Sequence, residues 1–387
     1  MRLGIDASNI RGDGGVTHLL ELLRVAEPNK YGISKIIVWS GEKTLAQLEE
    51  RPWLKKINQH ELNGKLVART IWQSCKLVKA ARAESCDLLF VPGGSIATNF
   101  RPVVTMSRNM LPFEWKEMLR YGISWLILKN LLLRLSQSRS FKKADGVIFL
   151  TKYAQKRVQN VIGAMQGQTV IIPHGINSRF LCEFKKQLPV SEYSEQRPLK
   201  LVYVSKVNPY KHQWNVVKAV ANLRKNNFPV TLDLIGSVDY APSFRKLETI
   251  INQSSDAARA WVTYHGSIPY EELHDRYREA DIGIFASSCE NMPNILLENM
   301  MASLPIACSD MGPMPEVLGD AGVYFDPEKP ESIANALRKI ILSPELRSNM
   351  IAKSKAKVNQ YSWERCADET FGFLTKVASV YKYERKQ

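Results

Sequence analysis

Cysteine is scarce and scattered in this sequence: Cys75, Cys86, Cys182, Cys289, Cys308 and Cys366, with no C-x-x-C pair. That spacing excludes a zinc ribbon and reads as free thiols in a reducing compartment. Internal repeats at solenoid spacing and low-complexity tracts are missing. No secretory leader is expected either, because residues 1–7 read as a strand and not as a basic stretch followed by a long apolar run. A cytoplasmic protein is expected. No zinc finger, helix-turn-helix or RNA-recognition aromatic motif stands out, so no nucleic-acid partner is expected. Acid is short too: 38 Asp and Glu face 53 Lys and Arg, a formal charge of +15. An excess of that size calls for a polyanion, an anionic membrane surface or a phosphorylated ligand. What is present is a soluble globular mix, 45% hydrophobic and 24% charged over 387 residues. The length calls for about two domains.

Short β-rich runs alternate with longer helical patterns. The first series of strands falls at 3–7, 36–39, 87–91, 103–106, 147–150 and 170–172. The second falls at 201–204, 231–235, 261–264, 282–285, 306–308 and 322–325. Most are apolar on both faces, as parallel strands covered by helices are. The pattern is α/β, with ligand sites at the strand carboxyl ends. The polar stretch 183–197, flanked by Pro198 and holding Pro189, carries no apolar period and reads as a linker. The domains are then 1–182 and 199–365, joined by residues 183–198, with 366–387 as a terminal helix.

The most informative run is FASSCENMPNILLENMMASLPIACSDMGPMPEVLGDAGVYFDP, residues 285–327. A strand ends near Ala286, a polar loop carries Glu290, Pro293 opens a helix, and Glu298 sits on that helix's second turn. Free amides and the helix dipole make such a junction an anion site. Two carboxylates beside it make sense if each accepts hydrogen bonds from hydroxyls, one set on a sugar and one on a ribose. The bland alternative is a solvated loop acid and a surface helix acid. Upstream, LVYVSKVNPYKH (201–212) places Lys206 and Lys211 after a strand, where two cations can neutralise a diphosphate without metal. Taken alone, exposed lysines are more often solvated surface.

Glu290 and Glu298 form E-x7-E, and with the SDMGPMPEVLGDAGVYFDP run they resemble the donor-binding region of retaining family 4 glycosyltransferases. The resemblance covers nearly the whole chain. It implies the GT-B fold, two Rossmann-like α/β domains facing each other across a deep cleft, with the terminal helix returning to the first domain. It implies transfer of a hexose-type sugar from a nucleoside-diphosphate sugar to a saccharide acceptor, in capsule, O-antigen or exopolysaccharide synthesis. Glu290 would contact the transferred sugar and Glu298 the ribose, with the backbone of Asn291, Met292, Pro293 and Asn294 near sugar and diphosphate. Lys211 matches the family's lysine, and Lys206 stands where arginine is common. Ile268, after the strand that ends in Tyr264-His265, would meet the base, and His265 is expected to be structural. Gly14 and Gly15, in Arg11-Gly12-Asp13-Gly14-Gly15-Val16, would border the donor. The run is not G-x-G-x-x-G, because Thr17 takes the third glycine's place.

One departure stands out. Many relatives carry a histidine after the strand that here reads VVTMSRNMLPF, where this chain has Ser107, Arg108 and Asn109. Arg108 and Asn109 are candidates to hydrogen-bond sugar or phosphate, or else to shape the turn. No metal and no cofactor beyond the donor are expected, since a D-x-D motif in a suitable strand-end context is missing. A different class of reading also stands: a catalytically inactive, basic membrane- or nucleic-acid-binding protein on the same scaffold.

Residues 101–143 hold nine Lys and Arg against two Glu, a charge of 9 − 2 = +7. Within it, Trp125 to Leu135 is leucine-rich but too short and too charged to span a bilayer of ~30 Å. Such a helix can lie in the membrane interface, on the inner face, with a lipid-linked saccharide as acceptor. It can equally be a core-facing helix with a basic wet side.

Overall fold

The computed structural model describes residues 1–254 and 261–384. Contacts divide the chain into two units. One gathers Met1–Phe113, Ser124–Gly175 and Tyr361–Gln387; the other gathers Glu114–Ile123 and Ile176–Gln360.

The first unit is built on seven parallel strands: β1 (Arg2–Asp6), β2 (Lys35–Trp39), β3 (Leu54–Ile57), β4 (Leu88–Val91), β5 (Val103–Met106), β6 (Gly146–Phe149) and β7 (Gln168–Ile171). They run in the order β3-β2-β1-β4-β5-β6-β7. β4, β5 and β6 are buried at every residue, as strands covered on both faces must be. Trp39, Trp72, Leu77 and Leu89 form part of the core on one side. The helix Trp363–Glu384 joins this unit, burying Phe371 and Leu374 and tying Lys382 to Asp87 at 2.8 Å. β3 is the strand that the sequence pattern misses. In Leu-Lys-Lys-Ile only Leu54 is buried, because β3 is an edge strand: Lys55 faces solvent, and half-buried Lys56 donates to the Leu48 carbonyl and Glu50.

The second unit carries six parallel strands: β8 (Leu199–Val204), β9 (Val230–Ile235), β10 (Val262–Tyr264), β11 (Ile282–Phe285), β12 (Ile306–Ser309) and β13 (Gly322–Phe325). Their order is β10-β9-β8-β11-β12-β13. The division between the units falls at Gly175 and Ile176, so residues 183–198 are part of the second unit and not a free linker. The physical reason is Arg347, which is 1% exposed. A buried guanidinium needs acceptors. Gln187 Oε1 (2.9 Å) and the Leu188 carbonyl supply two of them, and the carbonyls of Ile340 and Ile341 supply the rest.

Candidate active site in the second unit

Strand order reverses between β8 and β11, which pair through Ile282 opposite Leu201. Loops leaving the carboxyl ends at such a switch point enclose a crevice. From β8 the chain passes Ser205 and Lys206, makes the tight turn Pro209–Lys211, and enters the helix Gln213–Lys225 through His212. From β11 it passes Ser287, Ser288 and Glu290, then enters the helix Asn294–Met301 behind Pro293. That helix lies close on the sheet because residue 283 is glycine: a Cβ there would stand 2.1 Å from Asn299 Oδ1. The Ser288 amide donates to the Tyr210 carbonyl at 2.8 Å and ties the two loops together.

Across that tie Lys211 Nζ forms an ion pair with Glu290 Oε1. The side chains are 9% and 16% exposed. The ammonium also lies 5.4 Å from the Tyr210 ring centre and 5.6 Å from that of Phe285. Asn291, Met292 and Pro293 are buried beside Glu290, and Asn294 begins the helix. Lys206 is more exposed and faces Asp239 at 3.8 Å. The two lysines are therefore not a pair of free cations. Buried Lys211 takes a carboxylate because an ammonium in so enclosed a place is costly without one.

Glu298 is not the surface helix acid of the bland alternative. It is 4% exposed; Oε2 accepts from Tyr277 OH at 2.9 Å and Oε1 from Tyr270 OH at 3.4 Å. Burial pushes its carboxyl up to about 7, with the tyrosine hydroxyls and Arg179 pulling the other way. A ribose hydroxyl can reach it only through the lone pairs that the two tyrosines leave. Ile268 is half-buried on the loop after β10. His265 in that loop is held by Asp233 Oδ1 at 2.7 Å and donates its amide to Leu234, a structural position.

A polar network in the same unit escaped the sequence reading. Ser288 Oγ donates to Glu117 Oε2 at 2.5 Å and lies 2.8 Å from His212 Nε2. With the serine proton on the carboxylate side, the ring nitrogen must be the donor, which puts the His212 proton on Nε2. Burial, chiefly, holds this imidazole neutral by lowering it to about 4. Glu117 also takes two bonds from Arg120, at 2.8 and 3.2 Å, and Arg120 reaches Glu328. Lys116 meets Glu328 at 2.8 Å, and Tyr121 OH donates to Asn208 Oδ1 at 3.2 Å. The segment Glu114–Ile123 thus braces both loops of the site. Within FEWKEMLRY, the acids standing in an otherwise basic stretch were the available signal.

In the first unit, Gly14 and Gly15 lie in the first turn of the helix Asp13–Arg24. The Arg108 guanidinium packs so closely on Gly15 that a Cβ there would be 2.9 Å from Nη1. Arg108 makes no ion pair among the described residues, its Nε has no hydrogen-bond partner, and burial lowers it to about 10. Asn109 is turned away from this group: its Oδ1 accepts from the Leu111 amide at 3.1 Å and shapes the turn Leu111–Phe113. His18 is buried in the same unit against His174, ring centres 4.6 Å apart, and is held well below 6.5 by burial first, then by His174 and Arg108 beside it. Among the described residues no three His, Cys, Asp or Glu side chains converge as a metal-holding group. No helix there is long and apolar enough to cross a membrane.

The strand-end crevice, the Lys211–Glu290 pair and the helix behind Pro293 coincide with a family match over residues 184–357, glycosyl transferases group 1. That match covers less than half of the chain. Among the proteins this chain resembles, the O-antigen chain mannosyltransferase B of Escherichia coli is 32% identical over 110 residues, 28% of this chain and 29% of that protein. A GDP-mannose-dependent alpha-(1-6)-phosphatidylinositol monomannoside mannosyltransferase of Mycobacterium tuberculosis is 24% identical over 249 residues, 59% of this chain and 61% of that protein. The matches span less than two thirds of either relative. The structure of sucrose-phosphate synthase from Thermosynechococcus elongatus superposes with a TM-score of 0.75 at 16% identity, covering 98% of this chain and 100% of that one. The fold of this chain is GT-B, two Rossmann-like α/β domains.

Proposed function

We propose that the chain is a retaining glycosyltransferase that moves a hexose-type sugar from a nucleoside-diphosphate sugar to a saccharide acceptor. The observation that carries this reading is the Lys211–Glu290 pair at the switch point of the second sheet, beside the helix Asn294–Met301. An ammonium near a helix amino terminus suits a diphosphate, and a carboxylate suits sugar hydroxyls. An arriving diphosphate would draw Lys211 from Glu290 and so free the carboxylate for the sugar. Until then each charge compensates the other in a site that is largely dry. Lys211, Lys206 and helix amides would stabilise the leaving diphosphate, with no metal required. In the retaining families that the motifs resemble, the acceptor hydroxyl attacks on the face the diphosphate leaves, whose oxygen takes the proton. Arg108, which has no ion pair among the described residues and lies beside Gly15, is the first unit's candidate to meet a negatively charged part of the substrates.

The mannosyltransferase names of the relatives support a hexose donor and a surface-polysaccharide role. A lipid-linked acceptor at the inner face of the membrane is supported by the helix Trp125–Lys143. It exposes Trp125, Leu128 and Leu132 together with Lys129, Lys142 and Lys143.

The test is turnover and nucleotide affinity across UDP-, GDP- and ADP-sugars. Glu290→Gln should lower kcat roughly ten- to a hundredfold, the worth of charge-assisted hydrogen bonds, while nucleoside diphosphate binds as well or better because Lys211 is released. Activity should persist in EDTA. Turnover unchanged in Glu290→Gln, or abolished by EDTA and restored by a divalent ion, would refute the assignment.

A further inference from the structure

The helix Trp125–Lys143 buries an unusual set of residues. Asn130, Gln137, Ser140 and Phe141 are enclosed, while Leu128, Leu132 and Leu135 are 47%, 54% and 55% exposed. A helix that faces polar residues inward and leucines outward has a second surface to satisfy. Along one flank, a groove of about 730 Å³ runs between this helix and residues 96–101. The helical wall is Leu132, Leu135, Ser136, Arg139, Ser140 and Lys143, alternating steps of three and one that keep all six on one face. The far wall is fixed by the Ile96 amide, which donates to Ser140 Oγ at 2.8 Å.

The groove is polarised along its length. Its amino-terminal end is leucine and its carboxyl-terminal end is cationic, and at 1.5 Å per residue the two ends are ~16 Å apart. No Asp or Glu lines it. Of its cations, Arg101 is bound to Asp145, whereas Arg139 and Lys143 have no ion pair among the described residues. Two uncompensated cations at one end and bare apolar surface at the other complement a molecule with an anionic head and a hydrocarbon tail.

We propose that this groove binds one lipid with a phosphate headgroup. The phosphate sits between Arg139 and Lys143, and the hydrocarbon lies along Leu135 and Leu132 toward Leu128. Surface attraction of the basic helix to an anionic bilayer does not require such a site; a groove with charge at one end does. The inference does not depend on the transferase reading.

The test uses the full chain and dihexanoyl phosphatidic acid below its micelle concentration, followed by titration calorimetry. No turnover is read, so failure here and failure of the transferase reading are separate results. Saturable one-to-one binding is expected. Arg139→Gln with Lys143→Gln should weaken it roughly ten- to a hundredfold. Ser136→Trp, which fills the groove and leaves the charge unchanged, should weaken it at least about tenfold. Lys79→Gln with Lys156→Gln removes as much charge from exposed positions outside the groove and should change affinity by less than about twofold. Inorganic phosphate should bind at least about tenfold more weakly than the lipid. Circular dichroism melting checks that each variant is folded, and Leu135→Asn replaces Ser136→Trp if the latter is not. Equal losses from the two charge-removing pairs, indifference to filling the groove, or phosphate binding as tightly as lipid would each overturn the proposal.

Discussion

Burial raises the Glu298 carboxyl from 4.5 to about 7, so the folded chain holds this proton more tightly than the unfolded chain does. Between those two values the native state binds more protons. The stability Glu298 contributes is therefore complete below about pH 4.5 and lost as pH rises through about 7. The difference is on the order of 3 kcal/mol. Glu298→Gln keeps an oxygen for the Tyr277 hydroxyl and has no proton to lose. Urea unfolding at pH 5 and pH 8 should show the wild type losing stability relative to this variant as pH rises; parallel behaviour would mean the carboxyl titrates normally. A ribose hydroxyl bonded to the charged form would also draw the group down. Nucleoside diphosphate affinity should then rise with pH through about 7 in the wild type and not in Glu298→Gln.

The segment Glu114–Ile123 shows how much of a site lies beyond its motif. E-x7-E and the Lys206/Lys211 loop are local patterns, and the structure places Glu290 against Lys211 because each follows one of two adjacent strands. Nothing periodic connects residue 117 to residue 288, so Glu117 and its bond to Ser288 could not be read from the chain. The strands divide the same way. β5, β11 and β13 fall where apolar runs put them, while β3, with its two lysines, does not look like a strand at all. The burial of Glu298 was not legible, since Tyr270 and Tyr277, which enclose it, come from a separate stretch. The brace itself can be tested. Glu117→Ala removes the shortest hydrogen bond of buried Ser288 and leaves Arg120 with Glu328 alone, and should cost about 1–3 kcal/mol of unfolding free energy. Glu117→Gln can still accept from Ser288 and should cost less. If calorimetric melting cannot distinguish Glu117→Ala from the wild type, the segment is not a brace.

Taken whole, the molecule carries its +15 unevenly, with +7 of it in residues 101–143. Vesicles of anionic lipid should bind it at low salt and release it as salt rises, since the screening length is ~10 Å at 0.1 M. Replacing Lys129, Arg134, Lys142 and Lys143 by Gln should abolish flotation with such vesicles. Flotation indifferent to lipid charge and to these four changes would return the helix to an ordinary structural role. The units themselves are interleaved: the first needs Trp363–Glu384 and the second needs Glu114–Ile123. Synthesis proceeds from the amino terminus, so the unit begun first is the one completed last. Until Phe371 and Leu374 emerge, the surface they cover stays open, while residues 114–123 wait for β8 and β11 to form. A single cut between 175 and 176 yields two fragments, each lacking a piece held by the other. A nascent chain stalled near residue 360 would be a nearly finished second unit tethered to an unfinished first, and a ready client for chaperones.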